Sequence, residues 1–585
     1  MKKRYLKLTA AILAALTIGF TSCSDDDEDP KANPTVDQPS EQSVQVSNSV
    51  DITFAYTAEA GFASSSVTAT GGTATVTTDG TADATSGNIV VSFEAGTNSG
   101  AGSVTLTVTD KDGNTGLNTA VLSISDSPVP SIAGVPTTAT VTAEDTLEAT
   151  ITVTMEDVPG TLAVTANGTA YETIDITTDG QVVNFKYPTT IDEANTEVTL
   201  VFTATDSDSD VANADHVLVV DAPDIPVKVV DYNIEANETW YADTIYELAT
   251  RVTVLDGVTL TIKAGTVIKG QPGTGANATN LLVARGGMLM AQGTATDPII
   301  FTSTSDLLIP GQINSPNLTE ATSGTWGGVL ILGKAPISPK GGATEAAIEG
   351  IPPDDENGRY GGAIADDNSG TITYISIRHA GTNIGEGNEI NGLTLGGVGS
   401  GTTISHVEII ANQDDGIEFF GGNVDVSNAL VWANGDDAID GDQAWNGTID
   451  NGIIIEAGDK PFELDGPEAD FEQGNYTISN FSIKVGNSEG LVDNDDNTNV
   501  IMNNIFFFDL STTITQIFDT MPTAAGVDFT NFEIVLPAGS TVATHFPDDQ
   551  SFVTAVDAGA NTVGADKSEF TGWTFADANG QLADF

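Results

Sequence analysis

The sequence predicts an all-β chain in which two β-sandwiches precede a β-solenoid. Three observations carry this. A pattern of hydrophobic, Asn and Asp residues returns every 22 or 23 residues between Ile404 and Phe508. Two earlier segments alternate apolar with Thr and Ser residues, and both close on a strand, an acidic turn and a strand. Composition agrees: charged residues are 17% of the chain, apolar residues 39%, and there are 61 glycines among 585 residues, as in a well-buried β protein rather than a disordered acidic tail.

The solenoid is the most legible part. ISHVEIIANQDDGIEFFGG, VSNALVWANGDDAIDGDQ, IDNGIIIEAGDKPFELDGP and ISNFSIKVGNSEGLVDNDD are successive copies, and NNIFFF opens a fifth. Their starts, Ile404, Val426, Ile449 and Ile478, are 22, 23 and 29 residues apart, the last interval lengthened by an insertion near 467–476. Short β-branched strands with Gly, Asn and Asp corners and no helical spacing make each copy one turn of a β-solenoid. Equivalent residues then stack at about 4.8 Å. Ile409, Val431, Ile454 and Ile483 form one inward file, and Ile417, Ile439, Phe462 and Leu491 another. His406, Asn428, Asn451, Asn480 and Asn504 form a corner file whose amides can bond from turn to turn.

These repeats resemble the right-handed parallel β-helix of the pectin-lyase-like superfamily. Upstream, VTLTIKAGTVIKG (258–270), LLVARGGMLMAQGTATDPIIFTS (281–303), WGGVLILGKAPI (326–337) and GTITYISIRHAG (370–381) read like its N-terminal turns, so the resemblance covers about 240–540. That superfamily holds lyases, hydrolases, binding proteins and adhesins, so the resemblance implies a fold and leaves the activity open.

In chain order, Lys2, Lys3, Arg4 and Lys7 precede the apolar run Leu8 to Phe20, then Thr21-Ser22-Cys23. About thirteen apolar residues are too few to span a bilayer, and the order basic, apolar, small is that of a cleaved export signal. Cys23 is the only cysteine; it resembles the lipidation site of a bacterial lipoprotein, which makes 1–22 the signal peptide. Ser24 to Asp29 resembles the acidic surface-export signal of Bacteroidota lipoproteins, or else is a solvated linker. The expected localisation is therefore the outer membrane, lipid-anchored and facing outward. Residues 23–45 read as a polar tether. The segments 46–128 and 129–223 resemble immunoglobulin-like or cadherin-like sandwiches. Asp110, Asp112, Asp206, Asp208 and Asp210 in their closing turns are either calcium ligands or simply turn residues. The solenoid occupies 224–520, its first aromatics capping the open end. Residues 521–585 read as C-terminal turns and a cap packed by Phe570, Trp573 and Phe575.

The net charge of −63, from 82 acidic against 19 basic residues, repels phosphate backbones and anionic headgroups, so nucleic acid is not an expected partner. Divalent cations and neutral or cation-bridged ligands are better matches. Aligning the repeats places Asn391, Asp415, Asp437, Lys460 and Glu489 in one column, and Thr394, Glu418, Asp440, Glu463 and Val492 in another. Strand alternation turns Glu418, Asp440 and Glu463 outward. Carboxylates about 5 Å apart repel by roughly 3 kcal/mol at an effective dielectric near 20, so the file must share protons, splay apart or hold a cation. Ca2+ suits such oxygen ligands, and Asp415, Glu418, Asp437, Asp440 and Glu463 are the candidate set; turn chemistry at the Asp-Asp corners is the alternative.

The superfamily resemblance implies a calcium-assisted polysaccharide lyase or glycosidase as one possible activity, with Lys460 as base and Glu418 beside it. No Gly-His-Gly follows the Asp-Asp pairs, which departs from the hydrolase pattern. Alternation also turns Ile410, Trp432 and Ile455 outward, near Arg378, with Trp445 as a further stacking residue. This apolar strip is expected either to lie under another part of the chain or to contact a glycan or partner protein. The preferred expectation is a surface lipoprotein whose acidic β-helix binds an extracellular glycan. An enzyme, and an accessory subunit of an outer-membrane transporter or adhesion complex, are the alternatives.

Overall fold

The computed structural model describes residues 31–585 except 353, 386–389, 470–475, 487, 489, 515–516, 519–525 and 548. The signal sequence, Cys23, the acidic run after it and Glu489 lie outside the described residues. Among the described residues no helix is long and apolar enough to cross a membrane. The chain falls into two compact units, one drawn from 1–135, 150–184 and 201–215, the other from 136–149, 185–200 and 216–585.

The first sandwich pairs two four-stranded sheets. One runs Thr35–Val36, Ser49–Thr57, Ser86–Ala95, Gly72–Thr78; the other runs Gln42–Gln45, Thr115–Ser125, Gly100–Asp110, Phe62–Thr70. Period-two alternation drives it, because Ile52, Phe54 and Tyr56 on one sheet and Val104, Leu106 and Val108 on the other all face the shared core. A five-stranded and a three-stranded sheet, built from strands between Ser131 and Asp221, make the second immunoglobulin-like sandwich.

From Val227 onward the pairing turns parallel, apart from the short antiparallel pair of Ala346–Ala347 with Arg359–Tyr360. Sixteen described strands form one sheet and eight form another, each rung bonding to the one before it. The register agrees with the repeat: Ile404 pairs with Val426, Val426 with Ile449 and Ile449 with Ile478. Ile409, Val431, Ile454 and Ile483 stack likewise, all buried. The second inward file runs Ile417, Ile439, Phe462 and then Val492 rather than Leu491. The insertion after Pro467 hides this one-residue slip, so Asp493, not Val492, continues the acidic file.

The Asn corner follows from backbone stereochemistry. Tyr374, His406, Asn428, Asn451, Asn480, Asn504 and Asn531 all have φ between 51° and 61°. In this left-handed region Asn is better tolerated than most residues. The side chains then bond along the axis: Asn451 donates to Asn428 at 2.6 Å, Asn504 to Asn480 at 2.8 Å and Asn531 to Asn504 at 3.2 Å. At the first turn Trp240 and Tyr246 stack at 4.7 Å and are buried, closing that end of the core.

Two segments lie over the sheets. Residues from the 335–362 stretch, Ile337, Ile348, Ile351 and Tyr360, cover Leu282, Leu330, Leu332 and Phe420 on the eight-stranded sheet. The C-terminal segment runs across the outer face of the sixteen-stranded sheet, packing Phe570, Trp573, Phe575, Ala576 and Leu582 on Ile410, Leu430, Trp432, Ile453 and Ile455.

Candidate functional site

The outward file of the eight-stranded sheet reads Leu282, Leu330, Thr394, Glu418, Asp440, Glu463, Asp493 in consecutive rungs. Its apolar half is roofed by the 335–362 stretch, which also reaches the strands of Glu418 and Asp440, and these two acids are buried. Gln443 makes this contact: it donates to the Tyr360 hydroxyl at 3.2 Å and accepts from the Ser338 amide at 2.9 Å.

Beside this contact the carboxylates of Asp415, Glu418 and Asp440 lie within 4.8 Å of one another, and all three residues are buried. Carboxylates this close cannot all stay charged without a proton or a cation among them. Burial is the main force that pushes Asp415, Glu418 and Asp440 well above the usual carboxylate range, and their neighbouring acids add to it. Burial also raises Asp437 to about 10 and Asp465 to about 7, helped by Glu463 and Asp495 respectively. One oxygen of Asp440 has no protein partner. Asn391 caps the top of the cluster by donating to Glu418. Such a cluster either stores protons or gives them up to a cation.

Part of the set also does the corner work expected of Asp. Asp415 accepts from the Asp437 amide at 2.9 Å, and Asp437 from the Lys460 amide at 2.8 Å, so each caps the following rung. Further along, Asp436, Asp437 and Asp459 form one triad and Asp465, Glu468 and Asp495 another.

Other expected site residues take different places. Lys460 is held by Asp459 at 3.0 Å and Asp493 at 3.1 Å. Burial lowers its pKa, but the hydrogen bonds to these acids outweigh that and raise it overall. A base working near neutrality needs the opposite shift. The apolar strip is not an open platform: Ile410, Trp432 and Ile455 are at most 3% exposed, because the C-terminal aromatics sit on them. Trp445 lies inside the coil, stacked on Phe419 at 4.0 Å with its indole donating to Val424. Arg378 is wholly buried. It donates to Ser376 and the Ile313 carbonyl, lies 3.8 Å from Glu408 and carries the Phe575 ring at 4.9 Å. Ile410, Trp432, Ile455, Trp445 and Arg378 are thus all buried.

Sequence reasoning missed the clasp around Glu408. Its buried carboxylate accepts from the Phe575 and Ala576 amides at 3.0 Å each and from Ser376 at 2.5 Å, pinning the C-terminal segment to the sheet. Also unforeseen is a cleft of about 510 Å³ where Asp256, Arg285 and Lys334 meet Glu345 and Glu356. A second, of about 700 Å³, sits where the strip emerges from its cover, lined by Lys484, Phe506, Phe508 and Phe585.

The family model for a pectate-lyase-like β-helix domain matches residues 232–574. The chain belongs to that family. The pectate-lyase-like domain therefore includes all but the first strand of the two sheets, the acidic wall and the C-terminal cover as far as Thr574, and its family points to a carbohydrate-related function. No curated protein matches the chain. Among solved structures, the titin domains Z1Z2 in complex with telethonin are 17% identical, covering 33% of this chain and 98% of that one with a TM-score of 0.22. The fibronectin(III)-like modules of Clostridium thermocellum CbhA are 14% identical, covering 32% and 94% with a TM-score of 0.15.

Proposed function

We propose that this protein is a lipid-anchored, outward-facing outer-membrane protein whose acidic wall takes up a divalent cation, Ca2+, and binds an extracellular glycan beside it. The observation that carries the reading is the convergence of the Asp415, Glu418 and Asp440 carboxylates. An oxygen-only set suits a hard cation. A bound cation relieves the mutual repulsion of the wall and offers a coordination position to sugar hydroxyls or carboxylates. The anchor rests on Cys23 and the basic, apolar and small residues before it. Family membership supports a carbohydrate as the ligand.

Two other readings have less support. A lyase using Lys460 as base meets an ammonium that Asp459 and Asp493 keep protonated. An accessory subunit docked through the apolar strip meets the C-terminal cover on that strip. The test is polysaccharide binding measured with Ca2+ and with EDTA, on the native protein and on Glu418→Gln/Asp440→Asn. Binding that needs Ca2+ and weakens at least tenfold in the variant is expected. Binding indifferent to both EDTA and the substitutions would sink the reading.

A further inference from the structure

Beyond Ile453 and Ile455 the outward columns of the sixteen-stranded sheet run on through Ser482 and Lys484 to Phe506 and Phe508 in the next rung. Phe570, Trp573 and Phe575 cover these columns as far as Ile453 and Ile455. Over the rungs that follow opens the cleft of about 700 Å³, a volume that suits a small ligand.

Its floor is aromatic and its walls are fixed. Phe506 and Phe508 stack at 5.2 Å with their rings 14° from parallel, and Phe585 stands edge-on to Phe508 at 5.0 Å. Phe508 and Phe585 stay half-buried. One wall is the 557–565 stretch, tied down where Glu533 accepts from the Thr562 amide at 2.6 Å and hydroxyl at 2.7 Å, and where Ser482 accepts from the Ala565 amide at 2.9 Å. The other is 583–585, where Asp584 accepts from Lys484 at 2.9 Å. A cleft held in this way keeps its shape without a ligand, which lowers the cost of binding one.

The rim offers hydrogen bonds of both senses, with donors on Lys484 and Asn561 and acceptors on Asp509 and Asp584. Lys484 has no charge to spare for an anion. Asp584 at 2.9 Å and Glu456 at 3.9 Å share its ammonium, and the charge of Asp509 acts on it as well. One cation among three acids repels an acidic sugar, while Lys484 itself stands against a cationic guest. A wholly apolar guest would dehydrate the rim without replacing its bonds. A neutral molecule with an apolar face and a hydroxylated edge satisfies floor and rim together, and a pyranose ring has that form.

We propose that this cleft binds a neutral pyranose unit of a glycan, its C–H face on Phe506 and Phe508 and its hydroxyls on the rim. This rests on the glycan reading for the class of ligand; it needs neither the acidic wall nor a cation, and it lies on the other sheet.

Titration calorimetry of the full chain in EDTA, with cello-, xylo-, manno- and maltohexaose, tests it. At least one of them should bind native protein and Glu418→Gln/Asp440→Asn equally, and Phe508→Ala at least about tenfold more weakly. Phe508→Trp should keep the binding. Ala558→Leu narrows the cleft from an exposed wall position; it should weaken binding with the melting temperature unchanged, which separates loss of the cleft from loss of the fold. Hydrogen exchange should show the bound sugar protecting 506–510 and 557–561. Binding that needs Ca2+ and the wall acids but ignores Phe508→Ala overturns this proposal and leaves the wall reading standing. No binding of any of these sugars in EDTA also overturns it, and no binding with Ca2+ either counts against both.

Discussion

Asn451 shows how one side chain serves backbone, ladder and cover together. It sits at φ 61°, donates to Asn428, and accepts from the Asp566 amide at 2.6 Å. Asn451→Ala loses the left-handed tolerance and these bonds, so urea denaturation should show a loss of about 2–3 kcal/mol. Asn451→Gly should recover the backbone share. Glu408→Ala strands the Arg378 guanidinium and two amides of the C-terminal segment. We expect a loss of about 3–5 kcal/mol, read as faster hydrogen exchange over 570–580. The two residues were not equally legible. The Asn file repeats its residue type at the solenoid period, whereas the column of Glu408 reads Ser376, Glu408, Leu430, Ile453 and carries no pattern to find.

Among the elements, the acidic wall lies on the outer face of the eight-stranded sheet and the C-terminal segment on that of the sixteen-stranded sheet. Alternation correctly turned both Glu418 and Trp432 outward, yet outward proved not to mean exposed. Periodicity fixes the face of a sheet a residue occupies, and a distant segment decides whether water reaches it. Phe570, Trp573 and Phe575 were legible as a packed group, but nothing local tied them to the strip rather than to the end of the coil. The wall also sets a pH dependence. Its acids have raised pKa values in the folded chain, so that chain holds protons which the unfolded chain releases above about pH 4. Without cation, stability should therefore fall as pH rises, towards about 7 for Asp465 and about 10 for Asp437. Melting curves in EDTA from pH 5 to 9 should show this decline. Added Ca2+ should reverse it and release protons, whereas a melting temperature flat across that range counts against the buried, protonated wall.

At the scale of the whole molecule, an all-β order of sandwiches then β-helix was readable from composition and period alone, because both signals are summed over many residues. Removing residues 557–585 uncovers Ile410, Leu430, Trp432, Ile453 and Ile455 together. The truncated chain should bind a hydrophobic dye strongly and aggregate at low micromolar concentration. In a plain stack of rungs each turn leans only on its neighbours, and melting can start at either end and creep inward. The C-terminal segment breaks that independence. By gripping Glu408, and through it Ser376 and Arg378, with the Phe575 and Ala576 amides, Asn451 with Asp566 and Lys484 with Asp584, it makes five successive turns stand or fall as one cooperative block, so force or denaturant should peel the flanking turns first and then meet a single abrupt step.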